Sequence, residues 1–552
     1  MTKHVFWLLG ALAFGAGAEV LVTDKRLDNE AAYLPPQCYT KTDLAPHKSA
    51  NPCFACHIGP KRPNFIEDRD LQASYALRDY TQHNHWDNLF RDFSKAVAAQ
   101  SDAAILAYVR TDNYHDGKGG NLLADKLKAL PAEWDFNGNG RWDGYLPDVA
   151  FHFDDQGFDR RPDGKATGWR AFGYYPFLGA FAPTNGATDD VLIRLPKAFR
   201  EDVNGNEDLA LYRLNLAVLE AMIKEQDIPI APVDEKVLGL DLDKDGELGT
   251  ATRVTYDWAP NQGRQMHYLG LAGKLQDQGK VKMAAGLYPV GTEFVHTVRY
   301  LDFDQEGRLR LSARLKELRY SRKLSWNNYA QLSNAAISEV KATHDFPDRL
   351  RTFRGNAEQG INGALGWVYQ GFIEDAKGAL RPQSFEENLA CMGCHTGISA
   401  TTDGTFAFPR KFGAGSPQDG WYHWSQVADA FKDVPEPRMA DGRLEYRTYL
   451  AANDGWGDEF RGNLELRRRF LTATGRPDQE MLDKMSRDIS LFLVPSKERA
   501  LSLNKAYRAL VEEQSFSKGR DPHVQPLENV HRDVAIGTAT GNAILGRRAD
   551  GS

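Results

Sequence analysis

The chain has 552 residues and a mass of 61.8 kDa, enough for roughly two to four domains. A hydrophobic fraction of 42% and an aromatic fraction of 11% are those of a chain with packed cores and exclude a disordered one. The net charge is −7, the sequence pI about 6.1, and no basic stripe stands out, which leaves nucleic acid out as a partner.

The first residues read as a secretory signal. Lys3 and His4 make a polar start, Val5 to Ala13 an apolar run, and Ala16-Gly17-Ala18 a small-residue cleavage site. The run is too short to span a bilayer, and no later segment reaches about 18 uninterrupted apolar residues. No cysteine sits at the cleavage point, so a lipid anchor there is not expected. The expectation is a soluble mature chain, periplasmic or secreted, cut near Ala18. Residues 19–50 form a Pro-, Asp- and Lys-rich lead-in that contains Cys38, which lacks an obvious partner.

"NPCFACHIGP" at 51–60 then places Cys53 and Cys56 two residues apart with His57 directly after. Beyond it come His83, His85 and His115. From Trp86 to Arg110, apolar residues at helical spacing predict a helix or helix pair. The texture changes over 112–330, where Gly, Asp and Asn cluster in loops. "DLALYRLNLAVLEAMIKEQ" at 208–226 predicts one clear helix with Asp208 as its N-cap. "TEFVHTVRYLDFD" and "GRLRLSARLKELRY" predict two strands joined by a turn at Gln305-Glu306-Gly307.

Three loops of this middle block begin like a calcium loop, with oxygen side chains at positions 1, 3 and 5 and Gly at 6. The first holds Asp135, Asn137, Asn139 and Asp143, the second Asp241, Asp243 and Asp245, the third Asp302, Asp304 and Glu306. None carries the bidentate Glu at position 12, where Leu146, Thr252 and Ala313 stand. The competing reading is an Asx turn in which the side chains bond their own backbone. Bound calcium would stiffen these loops rather than catalyse.

"LACMGCHTG" at 389–397 repeats the first motif with Cys391, Cys394 and His395. Further on lie His423 and, in a proline-flanked loop, Met439. The apolar face of "MLDKMSRDISLFLV" at 481–494 and "RALSLNKAYRALVEE" after Pro495 predict terminal helices, and the tail beyond about 515 is polar.

A Cys-x-x-Cys pair serves redox thiols, a zinc clamp or c-type haem attachment. The adjacent histidine, present both times, is demanded only by the third, where thiols add to the haem vinyl groups and the imidazole ligates iron. On these two motifs the chain resembles the di-haem c-type cytochromes. The resemblance implies two covalently attached haem c groups on Cys53, Cys56 and Cys391, Cys394, with His57 and His395 as proximal iron ligands. Candidate distal ligands are His83, His85 and His115 for the first haem, Met439 and His423 for the second.

The implied function is an exported di-haem electron carrier working with periplasmic redox partner proteins. The alternatives are a di-haem oxidoreductase, similar in principle to bacterial di-haem peroxidases or rubber-cleaving oxygenases, and a haem-bearing interaction module with a calcium-stiffened middle. The expected fold class is α+β, mainly α-helical around the two haems, with a loop-rich mixed α/β middle block containing β-hairpins. The expected organisation is a signal at 1–18, haem regions at 19–111 and 331–515, the middle block at 112–330 and a tail at 516–552.

Overall fold

A computed structural model describes residues 29–541 apart from 30, 42–72, 177–181, 364, 396–402, 404–406, 428, 439–441 and 453–462. The signal at 1–18, Cys53, Cys56, His57 and Met439 lie outside the described residues.

The chain is organised by a ten-stranded antiparallel sheet, not by helices around cofactors, and this corrects the expected fold class. Its strands are β1 (Phe158–Arg160), β2 (Ala166–Phe172), β3 (Thr188–Asp189), β4 (Val191–Arg194), β7 (Glu293–Phe303), β8 (Leu309–Lys323), β9 (Arg354–Asn356), β10 (Gly360–Asn362), β11 (Trp367–Glu374) and β12 (Leu380–Pro382). The order is β1-β2-β4-β7-β8-β11-β10-β9, with β3 on β7 and β12 on β11. The sheet is continuous across residue 330. A separate two-stranded ribbon pairs β5 (Ile228–Asp234) with β6 (Thr250–Val254).

The expected β7–β8 hairpin is present, in register from Glu293↔Arg322 to Phe303↔Leu309. Gly307, at φ 78°, supplies the left-handed residue that its tight turn requires. Val298 faces Glu317 but Arg299 faces Leu315, so Lys316 is the extra residue of a β-bulge. Strand alternation makes two layers. Leu192, Val295, Leu318 and Phe372 pack with Trp134, Tyr145 and Trp169 on one side. On the other, Ile193, Phe294, Trp367 and Tyr369 pack with the helix Leu209–Lys224. Each such side chain, fully buried, contributes about 1.5–3 kcal/mol.

That helix starts where expected, because Asp208 accepts a hydrogen bond from the Leu211 amide at 3.0 Å. The expected 86–110 helices resolve into a short turn at Asp87–Phe90 and the helices Ser94–Ala98 and Asp102–Arg110. The run at 481–494 divides into Gln479–Met485 and Ser490–Leu493, and between them Asp488 accepts a hydrogen bond from the Ser490 amide at 3.0 Å. After Pro495, Lys497–Glu513 packs against β7 and the Asp102–Arg110 helix. Among the described residues no helix is long and apolar enough to cross a membrane.

Candidate cofactor site

Strand register sets the floor of the site. His296 and Gly371 flank Arg319, Phe294 and Tyr369 flank Ser321, and Trp367 faces Lys323. The central strands β7, β8 and β11 therefore present His296, Glu317, Arg319, Lys323, Trp367 and Tyr369 on one face. Glu317 gathers three donors: Arg319 at 2.8 Å, Arg520 at 2.9 Å and Gln383 at 3.0 Å. Gln383 reaches it across Gly371, where a Cβ would collide with the amide.

The second Cys-x-x-Cys-His turn is delivered to this face by a capped helix. Ser384 and Glu387 form a capping box at the start of Phe385–Leu389. Arg381 grips Glu387 with two bonds of 2.8 Å, and Arg520 donates to the Glu387 carbonyl at 2.6 Å. The turn Met392–His395 follows at once. Met392 is buried, whereas Cys391, Cys394 and His395 are half-buried and the two thiols are free. The His395 ring centroid lies 4.6 Å from that of Tyr369.

Burial sets the protonation states here. It pushes the Cys394 thiol up to about 11, with Cys391 adding to the effect. Cys391 is also raised by burial, against the pull of Arg319 and Arg520. Burial would raise Glu317 too, but Arg319 and Arg520 outweigh it and hold the carboxyl at about 2. His296 is pushed down to about 3 by burial, Arg319 and His395, so it is neutral. Nearby, burial raises Asp189 to about 8, with the Tyr174 hydroxyl donating to it at 2.5 Å.

The other histidines named from the sequence have different surroundings. His423 is buried, with Nε2 2.9 Å from Asp190 and Nδ1 2.7 Å from the Ser425 hydroxyl, which leaves neither nitrogen for a metal. His83 pairs with Asp533 at 2.6 Å near the surface and abuts His85, which stacks on Tyr80. His115 Nδ1 lies 2.9 Å from Asp112.

The acidic loops separate by their neighbours. Asp135 accepts from the Asn139 and Gly140 amides, and Asn137 and Asn139 donate to Asp143. Glu358, remote in sequence, accepts from the Asp143 amide at 2.5 Å. In the second loop Glu235, Asp241 and Asp243 bring carboxylate oxygens within 4.8 Å of one another, the one such group among the described residues. Both Glu235 oxygens are engaged by backbone amides, those of Leu242, Asp243 and Gly249. In the third, Arg110 binds Asp302 and Arg308 binds Asp304, so the acidic side chains are already paired.

Sequence reading named the Cys391 turn but missed its cradle. The Ser384-x-x-Glu387 capping box was a local signal for the helix that delivers the turn. Arg319, Gln383, Arg520 and Glu358 carry none.

Fold and site together define a large antiparallel-sheet protein with a thiol-and-imidazole turn laid on its charged inner face. A family described as "-like lipoprotein" matches residues 22–487. An uncharacterized lipoprotein of Aquifex aeolicus (strain VF5) is 31% identical over 553 residues, covering 92% of this chain and 88% of the relative. No solved structure matches. The chain belongs to this lipoprotein family and is an exported protein.

This finding corrects the expected function. The family and the relative are lipoproteins, not cytochromes, and the di-haem electron carrier, the di-haem oxidoreductase and the haem-bearing interaction module are set aside with it. The physical reason is that a Cys-x-x-Cys-His turn reports local attachment chemistry and does not specify what a whole chain does.

Proposed function

We propose that this chain is an envelope lipoprotein that holds covalently attached haem c, with Cys391, Cys394 and His395 as one attachment point. The observation that supports it is the free, half-buried thiol pair beside His395, set over the Arg319–Glu317–Arg520 network. Redox thiols need a lowered pKa, and burial raises both of these.

Protonated thiols suit the attachment step. Each S–H adds across a vinyl double bond, forming one S–C bond and placing the hydrogen on the neighbouring carbon. When bound, the haem supplies an iron centre, and His395 is the residue that would hold it. Tyr369 packs against the imidazole and fixes its ring. Arg319 and Arg520 bring positive charge to Cys391, which partly offsets the effect of its burial. Cys53, Cys56 and His57 would take a second group in the same way. The same reading puts the exported chain on the periplasmic side of the envelope.

The test is the denatured mass and absorbance of chain exported from cells that attach haem to thiols. One haem per intact motif is expected, with Cys391→Ala/Cys394→Ala losing one group and Cys38→Ala losing none. Colourless protein of bare polypeptide mass would overturn the reading.

A further inference from the structure

We propose that the loop 135–143 and Glu358 together form a calcium site, with Glu358 supplying from a distant turn the carboxylate that position 12 of the loop lacks. Glu358 lies between β9 and β10, is only 1% exposed, and its Oε2 accepts no hydrogen bond. A buried carboxylate oxygen without a donor is costly, and a cation bound beside it would offset that cost. Its Oε1 is fastened to the loop by the Asp143 amide at 2.5 Å.

The chain holds the two segments together by neutral contacts. Gln370 on β11 accepts from the Tyr145 amide at 2.9 Å and donates to the carbonyls of Ala357 and Glu358 at 3.1 and 2.5 Å. Gly144 permits this approach, since a Cβ there would run into the Glu358 carbonyl. Asp135, Asn137, Asn139 and Glu358 then offer hard oxygen donors, and the Arg141 carbonyl stands at position 7, the set calcium prefers. Against the three carboxylates of Asp135, Asp143 and Glu358 stands one cation, Arg141, which is 76% exposed and pairs with Asp143 at 2.9 Å. The surplus negative charge favours a divalent ion.

The full chain, stripped with chelator, is titrated with calcium chloride and separately with magnesium chloride by calorimetry and thermal melting. Calcium is expected to bind and raise the melting temperature more than magnesium does. Glu358→Gln and Asp135→Asn should each weaken calcium binding about tenfold or more, while Asp241→Asn in the second loop leaves that binding intact. Glu358→Gln should melt no lower than wild type without calcium, because it removes the unpaired buried charge. Should Glu358→Gln fail to fold, the partly exposed Asp135→Asn decides alone. No calcium response in wild type, unchanged affinity in the loop variants, or loss confined to Asp241→Asn would each overturn the proposal.

Discussion

The charged face of the central sheet and the loop 135–143 treat carboxylates in opposite ways. On the sheet, Glu317 is met by Arg319 and Arg520, Glu387 by Arg381, and Asp403 by Lys323. At the loop, Glu358 is as deeply buried and, like Asp403, has one oxygen without a donor, but among the described residues no cation pairs with it. Burying an ion in low dielectric is tolerated only when a partner of opposite charge is at hand. The sheet carries its partners within the chain; the loop carries more carboxylate than cation.

The largest effect is expected on the sheet. Arg381→Met leaves Glu387 charged, buried and robbed of its bidentate partner, and should cost about 3–5 kcal/mol of stability in denaturant unfolding. The double variant Arg381→Met/Glu387→Met should recover most of that loss, because the isolated charge and not the missing contact is what destabilises. A double variant as unstable as the single one would show that the pair matters for packing instead. Next in size is calcium itself. A hundredfold excess over the dissociation constant should stabilise the native chain by about 2.7 kcal/mol by mass action, and Glu358→Gln, binding about tenfold or more weakly, should cut that gain to about 1.4 kcal/mol or less while leaving the sheet untouched.

The contrast also marks what the sequence can disclose. The β7–β8 hairpin was legible because alternation and the Gly307 turn are both local. The sheet around it was not, since β8 reads as an amphipathic strand with its Arg, Lys and Glu turned to water. In the fold Arg314, Lys316, Glu317 and Lys323 are all buried, and their partners Glu374, Arg520 and Asp403 are 60 or more residues away or arrive from the C-terminal segment. The Cys391 turn was legible as chemistry because its residues are consecutive. Glu358 could not be, as 215 residues separate it from Asp143.

A third region sharpens the rule by pH. Glu374 accepts from Tyr108, Tyr300 and Arg314, but burial dominates and pushes its pKa up to about 7. A raised carboxyl pKa means that the folded chain holds a proton the unfolded chain has released. Stability from this group is present in full below the unfolded value near 4.5 and is lost as pH rises toward about 7. Across that window the slope should be at most about 1.4 kcal/mol per pH unit. Glu374→Gln, compared with wild type in unfolding at several pH values, should remove it. Parallel pH curves for the two proteins would mean that Arg314 keeps Glu374 ionised.

The smallest effect, and the closest control for the calcium loop, lies at residues 302–308. This loop shares the spacing of acidic side chains and the glycine at position 6, but Arg308 binds Asp304 and Arg110 binds Asp302. Both arginines are about half exposed, at 46% and 51%, so Arg308→Ala alone should cost under about 1 kcal/mol. Wild-type chain should bind no calcium here, since the carboxylates are already neutralised. Arg110→Ala/Arg308→Ala in a Glu358→Gln background should restore a weak calcium response, measured by the same calorimetric titration, because two carboxylates then stand unpaired beside a turn of calcium-loop spacing. If that triple variant ignores calcium, charge balance is not enough, and a buried carboxylate brought from elsewhere in the chain, as Glu358 is, is what the site requires.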